Sequence, residues 1–275
     1  MNNWKKAPSH PVLAKYIDCY WFIEKSQEDV SLDFPKLNPD PCAHFILSPS
    51  NQSFHYQYQD KNVSGHGCHL ILPNTSTLTL DHSKPFIIIG IKFHAGALYA
   101  LKGFEDLALV NEILTKMDGL PLDWFPDNST LFESANEQRD VTCEKLDSLL
   151  INWIEKSHCD KHSLLVRKAL PLINDTDIAN MGEVLHCAQR TVERSFKRVT
   201  GLSLKQYKNM VNFEELLDYL HQQTHSPINW VDVAAQFGFS DQPHLIRQLK
   251  ATIGSTPGNY VKQRDLTIDV YGNFE

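Results

Sequence analysis

A pattern of residues that occurs twice constrains this 275-residue chain more than any other feature of its sequence. The pattern comprises an arginine, an apolar residue, a lysine, a glycine, a hydroxyl residue and a tyrosine. Each residue of the first copy recurs in the second copy 53 positions later. The pairs are Arg194/Arg247, Phe196/Leu249, Lys197/Lys250, Gly201/Gly254, Ser203/Thr256 and Tyr207/Tyr260. Repetition at a fixed offset indicates one supersecondary unit used twice. The C-terminal part is therefore predicted to be all-α and to contain two copies of that unit.

Each copy has the pattern of two helices joined by a tight turn. In the first copy we expect a short helix over Ile178–His186 and a second over Gln189–Val199, with Val192, Phe196 and Val199 facing inward. In the second copy the helix Ile228–Phe237 is expected to pack through three apolar residues, and the next helix starts after a turn. The residues concerned are Val231, Ala234 and Ala235 for packing, Gly238–Ser240 for the turn, Ser240 or Asp241 as cap, and Leu245 and Leu249 facing inward. A short helix, a turn and a second helix with long polar side chains on its outer face indicate a helix-turn-helix unit.

The segment between the copies, Ser203–Leu220, is predicted to be one long helix. Such a rigid connector would fix the distance between the two outer helices. A separation of about 34 Å, one turn of DNA, would place both in successive major grooves on one face of a duplex.

The outer helices carry side chains that can read base edges. A helix fits the major groove, where Arg pairs with guanine, Gln with adenine and Glu with cytosine. The predicted base-reading residues are Arg190, Glu193, Arg194, Gln242, His244, Ile246 and Arg247. The predicted phosphate contacts are Lys197, Arg198, Lys205 and Lys250. As alternatives, Arg194 and Arg247 could pair with carboxylates beside the core, and the lysines could form a solvated face.

The N-terminal part has the pattern of a β-rich domain with flanking helices. Short β-prone runs separated by Pro, Asn, Asp and Gly suggest a sandwich or barrel, and Phe86–Phe93 is expected to be a central strand. The other predicted strands are Tyr16–Glu24, His44–Leu47, Phe54–Tyr58, Gly67–Leu72 and Ser76–Leu80. The helix Cys143–Glu155 has one apolar stripe, which serves either dimerisation or packing on its own barrel. The polar run Ser157–Ser163 predicts a linker, hence an α+β chain with domains 1–160 and 161–275.

Composition argues against several other classes of protein. The first residues contain no apolar run typical of a signal peptide, and the longest apolar run is too short to span a membrane. The six cysteines include no C-x-x-C pair, so we expect reduced thiols and a cytoplasmic protein. No catalytic set, cofactor fingerprint or metal-ligand pattern stands out, since His66 and His69 would face opposite sides of a strand. A metal-dependent cupin-like enzyme with an added helical domain remains the alternative.

Two stretches resemble known families. The run Val233–Lys250, with Gly-Phe-Ser-Asp-Gln at 238–242 and Gly254-x-Thr-Pro-x-x-Tyr260 after it, is similar to the signature of the AraC/XylS transcription regulators. The resemblance covers Ser163–Gln263 and implies a double helix-turn-helix domain that binds promoter DNA through the base-reading residues named above. The run Gly90–Ala97, together with Asn38–Pro41, resembles the cupin-like sensory domain of some of these regulators. These resemblances imply that a small-molecule effector, RNA polymerase and a second copy of the chain are possible partners. We expect no cofactor and no membrane association.

The chain departs from the AraC/XylS pattern at six positions, and at two of them, Leu245 and Leu249, an apolar Leu merely replaces Phe. The other four departures change the chemistry. Gly182 replaces Ala, His186 replaces Gly, and Asn212 and Val261 replace Arg. The loss of two arginines weakens the expected phosphate contacts, so the first unit is expected to read DNA less strongly than the second. In addition, the part from Asp160 onward has 13 basic and 13 acidic residues and is neutral, although DNA-binding domains are usually basic. This neutrality favours a second alternative, a degenerate regulator that binds a protein partner.

Overall fold

The fold is described from a computed structural model, which covers residues 1–58, 61–101, 104, 110–115, 129–223 and 228–271. Its N-terminal part consists of antiparallel β-sheets covered by two helices. The strands are Asn2–Lys6 (β1), Ile17–Lys25 (β2), Lys36–Leu37 (β3), His44–Leu47 (β4), Ser53–Tyr58 (β5), Lys61–His66 (β6), His69–Ile71 (β7), Leu78–Leu80 (β8), Phe86–Phe93 (β9) and Ile113–Leu114 (β10). They form a large sheet with the order β1-β2-β9-β4-β7-β10 and a small sheet with the order β3-β8-β5-β6. The predicted β-rich N-terminal domain is confirmed.

The central strand β9 shows how the large sheet separates two cores. It pairs with β2 on one side and with β4 on the other. Since side chains alternate along a strand, Ile89, Ile91 and Phe93 face one core, while Ile88 and Lys92 face the other side of the sheet. The prediction that Phe86–Phe93 is the central strand is confirmed.

Two helices cover one face of the large sheet. They are Ser129–Glu137 (α1) and Arg139–Ile154 (α2). Leu146, Leu150 and Trp153 of α2 are buried against the sheet, and the Trp153 ring meets Phe93 edge to face, with 6.2 Å between centroids. The apolar stripe of this helix therefore packs inside its own domain. This supports the interpretation that the stripe packs on the barrel, and not the interpretation that it forms a dimer.

The small sheet covers the opposite face of the large one. A separate apolar cluster fills the space between the sheets and contains Ile46, Tyr56, Tyr58, Ile71, Leu78 and Leu80. The N-terminal domain thus has three layers: helices, large sheet and small sheet.

The regular elements of the described C-terminal residues are helices, apart from one isolated bridge between Leu266 and Lys36. The helices are Lys161–Ala169 (α3), Met181–Val184 (α4), Gln189–Thr200 (α5), Leu204–Gln222 (α6), Trp230–Gln236 (α7), Gln242–Ile253 (α8), Pro257–Gln263 (α9) and Thr267–Tyr271 (α10). The predicted connector is confirmed as α6, which begins with a capping box between Ser203 and Gln206. With 19 residues at 1.5 Å each, it is about 28 Å long.

The connector helix belongs to two apolar cores. Leu204 and Met210 pack with Val192 and Phe196 of the first unit. Phe213 and the following apolar residues pack with the second unit, the full set on α6 being Phe213, Leu216, Leu217 and Leu220. Each unit therefore has its own core, and α6 is the element that they share.

No helix in the described part of the chain is both long enough and apolar enough to span a membrane.

Candidate nucleic-acid interface and interdomain cavity

The first unit depends on close packing between α4 and α5. A Cβ atom at Gly182 would lie 2.6 Å from the backbone nitrogen of Gln189, which is too near for any larger residue. The side chain of Gln189 joins the same two elements: its Oε1 accepts from the Gly182 N–H at 2.8 Å, and its Nε2 donates to the Ile178 carbonyl at 2.8 Å. The same Nε2 also donates to Glu193 Oε1 at 3.0 Å. Gln189 therefore holds the turn together and orients Glu193, a role that the sequence analysis missed.

Both turns pass through a left-handed residue. This residue is His186 in the first unit, with φ 53°, and Gly238 in the second, with φ 75°. Glycine adopts this conformation without steric cost, whereas for an L-residue such as histidine the conformation has a steric cost. The departure from the family pattern at His186 therefore leaves the turn geometry in place but strains it locally.

The second unit has the better capped helix. Asp241 accepts a hydrogen bond from the His244 N–H at 2.6 Å and caps α8, whereas Ala188 at the start of α5 provides no side-chain cap. Of the two predicted caps, Ser240 and Asp241, it is therefore Asp241 that caps α8. The packing prediction for α7 was only partly correct, because Ala234 is buried but Val231 is 61% exposed and Ala235 is also exposed.

The inward faces of both outer helices are as predicted. Val192, Phe196, Leu245 and Leu249 are each at most 1% exposed. A left-handed glycine ends each helix, Gly201 for α5 and Gly254 for α8, with φ 73° and 71°. The two helices have the same length, the same end and the same buried face.

The arginines of the outer helices point to solvent. Arg190, Arg194 and Arg247 are exposed, and none of the three forms a hydrogen bond or ion pair with another described residue. This finding is inconsistent with the alternative in which Arg194 and Arg247 pair with carboxylates beside the core. Glu193 is exposed as well. Three guanidinium groups are thus available for an external partner.

The other predicted base-reading residues are only partly exposed. Gln242, His244 and Ile246 lie half-buried at the start of α8. The Nδ1 atom of His244 lies 3.3 Å from the Ser240 backbone nitrogen, which donates to it, and the ring packs edge to face on Phe239. His244 therefore keeps Nε2 for an outside contact, while its other nitrogen fixes the turn.

The four predicted phosphate contacts have different surroundings. Lys205 and Lys250 are exposed, and neither forms a bond with a described residue. Lys197 donates to the Gly201 carbonyl at 2.6 Å, at the C-terminus of its own helix. Arg198 instead reaches the N-terminal domain, since its Nε donates to the Tyr99 hydroxyl at 2.6 Å. In this structure the Arg198 side chain contacts the N-terminal domain, and its phosphate contact stays a prediction.

A cavity of about 170 Å³ lies between the two sheets and is closed by the C-terminal domain. The sheets provide mainly apolar side chains, and helices α6 and α10 provide the closing wall. The lining residues include Trp21, Ile23, Leu37, Ile46, Tyr56, Ile71, Leu80 and Ile88 from the sheets, and Glu214, Leu217, Thr267, Ile268 and Tyr271 from the helices. The sequence did not reveal this cavity, because its walls come from both ends of the chain.

Trp21 lies across the backbone of Gly90 on the cavity side of the large sheet. A Cβ atom at position 90 would be 1.8 Å from the indole Cε2. The indole Nε1 donates to His44 Nδ1 at 3.2 Å. Gly90 thus allows the indole to lie flat and to hold His44.

An ion network connects the cavity wall to the connector helix. Lys92 of β9 lies 3.0 Å from Asp40 and 3.5 Å from Glu214 of α6, and His44 Nε2 is 2.9 Å from the same Asp40 oxygen. Burial opposes ionisation of Asp40, but Lys92 and His44 outweigh it and hold the pKa of this carboxyl well below its usual range. Burial raises the pKa of Glu214, and Lys92 offsets only part of that rise. The network joins the large sheet directly to α6, the helix between the two units.

The described residues contain no group of three or more His, Cys, Asp or Glu side chains placed to hold a metal ion. His69 is buried and bonds to the Tyr56 hydroxyl at 2.6 Å, whereas His66 is exposed on β6. These contacts are structural and do not converge on one point.

Two domain families match the chain. Residues 181–263 match a helix-turn-helix domain family, and residues 5–113 match a domain of unknown function. The fold of the C-terminal part and this match together identify residues 181–263 as a helix-turn-helix domain. The stretch that resembles the AraC/XylS signature, Val233–Lys250 with Gly254–Tyr260 after it, lies within these matched residues.

Several solved structures are similar to the chain over most of its length. ToxT from Vibrio cholerae is 13% identical, with a TM-score of 0.47, over 97% of this chain and 98% of that one. ToxT from Vibrio cholerae strain SCE256, with an unsaturated fatty acid bound, is 10% identical, with a TM-score of 0.46, over 97% and 95%. The AraC-like transcriptional activator CuxR is 9% identical, with a TM-score of 0.27, over 78% and 86%. No curated protein matches the chain.

Proposed function

We propose that the chain regulates transcription by reading DNA with α5 and α8 together, under the control of a small molecule that binds in the interdomain cavity. Reading requires no catalytic step, because base contacts discriminate sequence while lysines and helix N-termini hold phosphates. We assign the base contacts chiefly to Arg190, Arg194 and Arg247, and the phosphate contacts to Lys205 and Lys250.

The observation that carries the proposal is the exposure of the three arginines on two matching helices joined by one rigid connector. An exposed guanidinium group without an internal partner loses no ion pair when it enters the major groove. The connector is about 28 Å long, which is close to the 34 Å of one DNA turn. Because this domain is neutral, it provides little general attraction to phosphates, and the proposal depends on the specific contacts of these arginines.

The cavity supports the effector part of the proposal. Its lining is largely apolar. Of the acidic and basic residues on its wall, Lys92 and Glu214 form an ion pair with each other, and the others are Lys5, His44, His82 and Asp218. Pockets that bind small molecules typically combine apolar walls with a few polar groups of this kind. The cavity also contacts α6, so a bound molecule would touch the element that positions both units.

The test is DNA binding by the full-length chain and the Arg247→Ala variant. A consensus site is selected from random duplexes, and affinities are then measured for that site and for single-base changes. We expect Arg247→Ala to lose about 1–3 kcal/mol, or about 5- to 150-fold, and to lose discrimination at one base pair. Lys168→Ala, an exposed change on α3, is the matched control and should leave binding unchanged.

Lys250→Ala separates phosphate contacts from base contacts. We expect it to weaken all duplexes alike and to reduce the slope of log affinity against log salt by about 1. An unchanged base preference in Arg247→Ala would contradict the assignment of that residue. If the chain selects no DNA and instead binds a protein, the DNA-reading proposal is wrong and the partner-binding alternative gains support.

A further inference from the structure

A short segment after the second unit has contacts on two sides. We define the arm as Asp265–Tyr271, which includes α10. It lies between the second unit and the N-terminal sheets, and it supplies part of the cavity wall.

On one side, the arm is part of the second unit. Leu266 is fully buried in the core of that unit. The Asp269 carboxylate is 2% exposed and accepts hydrogen bonds from the Tyr260 hydroxyl at 3.3 Å and from Arg264 at 3.5 Å. Tyr260 is fully buried in the core of the second unit, and Arg264 donates to the carbonyls of Leu220 and Gln223, so Asp269 ties the arm to that unit.

On the other side, the arm is attached to the sensory sheets. The Lys36 N–H donates to the Asp265 carbonyl at 2.8 Å, and the two side chains form an ion pair at 2.6 Å. Asn3 Nδ2 donates to the Tyr271 carbonyl at 2.9 Å, and the Tyr271 hydroxyl is hydrogen-bonded to His82 Nδ1. Lys36 and Asn3 belong to different sheets, so the arm spans both layers.

The third set of contacts faces the cavity. Thr267, Ile268 and Tyr271 line it from the arm, opposite the sheet residues Trp21 and Ile46. A molecule in the cavity would therefore touch the arm and the sheets at the same time. If the arm left the sheets, those three wall contacts would be lost.

We propose that the arm transmits occupancy of the cavity to the second DNA-reading unit. This inference rests on the proposed function. A ligand shifts an equilibrium only by its difference in affinity between two states, and here the docked arm offers three side chains that an undocked arm does not. Ligand binding thus favours the state in which the second unit is held against the sensory sheets. By linkage, DNA binding must change ligand affinity by the same factor by which the ligand changes DNA affinity.

The test uses a double variant that weakens docking from outside the cavity. Asn3→Ala with Lys36→Met removes two side-chain contacts to the arm, and neither residue lines the cavity or lies on a reading helix. The matched control is Asn62→Ala with Lys61→Met, the same two changes at exposed positions on β6. The probe is N-phenyl-1-naphthylamine, a neutral apolar fluorophore. Its affinity is measured by fluorescence with and without the selected DNA duplex, and DNA affinity is measured with and without the probe.

In the unmodified chain and in the control, we expect probe and DNA to change each other's affinity by the same factor, within about 5- to 150-fold. In the double variant the probe should still bind, but this factor should fall towards one. An unchanged factor in the double variant would overturn the role of the arm while leaving DNA reading intact. A chain that binds DNA but neither binds the probe nor responds to it would overturn both the effector site and the arm. A chain that binds no DNA at all refutes the proposed function itself.

Discussion

The substitution Gly90→Ala tests the architecture of the cavity most directly. The added methyl group would lie 1.8 Å from Cε2, 2.1 Å from Cζ2 and 2.4 Å from Nε1 of the Trp21 indole. These atoms belong to a rigid ring, so the whole indole must move into the cavity. The movement breaks the bond from Nε1 to His44, whose length is 3.2 Å.

The expected loss of stability follows from these contacts. Overpacking in a filled interior costs about 1–3 kcal/mol, and the broken hydrogen bond adds about 1 kcal/mol. The free energy of unfolding should therefore fall by about 2–4 kcal/mol. Because domains of this kind are stable by about 5–15 kcal/mol, the variant should still fold.

The assay is urea unfolding at equilibrium, followed by far-UV circular dichroism. Gly258→Ala provides a matched control, because a Cβ atom there meets nothing within 4 Å and the residue lies inside α9. Alanine is favoured over glycine in a helix, so the control should gain about 0.5–1 kcal/mol. If Gly90→Ala unfolds within 0.5 kcal/mol of the unmodified chain, the indole does not lie across Gly90 as described. Adding Trp21→Leu to Gly90→Ala should recover part of the loss from overpacking.

Three further outcomes are expected. Burial lowers the pKa of His69 and of His82 from 6.5 to about 4, so between these pH values the unfolded chain binds more protons than the folded chain. The free energy of unfolding should therefore fall by about 2 kcal/mol per histidine from pH 7 to pH 5. Urea unfolding at both pH values measures this change, and equal stability would contradict it. His186→Gly should raise stability by about 1 kcal/mol, because glycine accepts the left-handed conformation; a lower melting temperature would argue against strain at this turn. Gln189→Ala should lower the free energy of unfolding by about 1–3 kcal/mol, since it leaves the Gly182 N–H without its partner. It should also weaken DNA binding, because Glu193 loses the hydrogen bond that orients it. DNA affinity equal to that of the unmodified chain would show that Gln189 does not position the reading helix.

The repeat and the helical period made the C-terminal fold predictable. The buried positions Val192, Phe196, Leu245 and Leu249 follow directly from apolar spacing, and α5 has the expected bounds to within one residue. The misplaced residues on α7 were Val231 and Ala235, which are both exposed. The support helix begins only at Trp230 and has seven residues, so only a narrow face, including Val233 and Ala234, reaches the core.

The N-terminal strands were predictable only where their side chains are apolar. The strands β4 and β9 were predicted with the bounds that the structure shows. By contrast, β1 and β6 are polar edge strands, and β3 and β10 have only two residues each, so no local pattern marks them. Backbone pairing, which sequence patterns do not encode, holds these four strands.

The candidate cavity and the arm were not predictable for a related reason. Their contacts join positions far apart in sequence, such as Asn3 with Tyr271 and Lys92 with Glu214. Periodicity reports which face of an element is buried, but it does not report which distant element covers that face. Arg198 shows the same limit, because its partner Tyr99 lies in the other domain.

The division of α6 between two cores means that its length also sets an angle. An α-helix turns about 100° and rises 1.5 Å with each residue. One residue inserted between Met210 and Phe213, where the first core ends and the second begins, would move the second unit by only about 1.5 Å but would rotate it by about 100° around the helix axis. Such a rotation would turn the second reading helix to another side of the duplex. The spacing of this short stretch therefore determines the relative orientation of the two readers far more sensitively than it determines their separation.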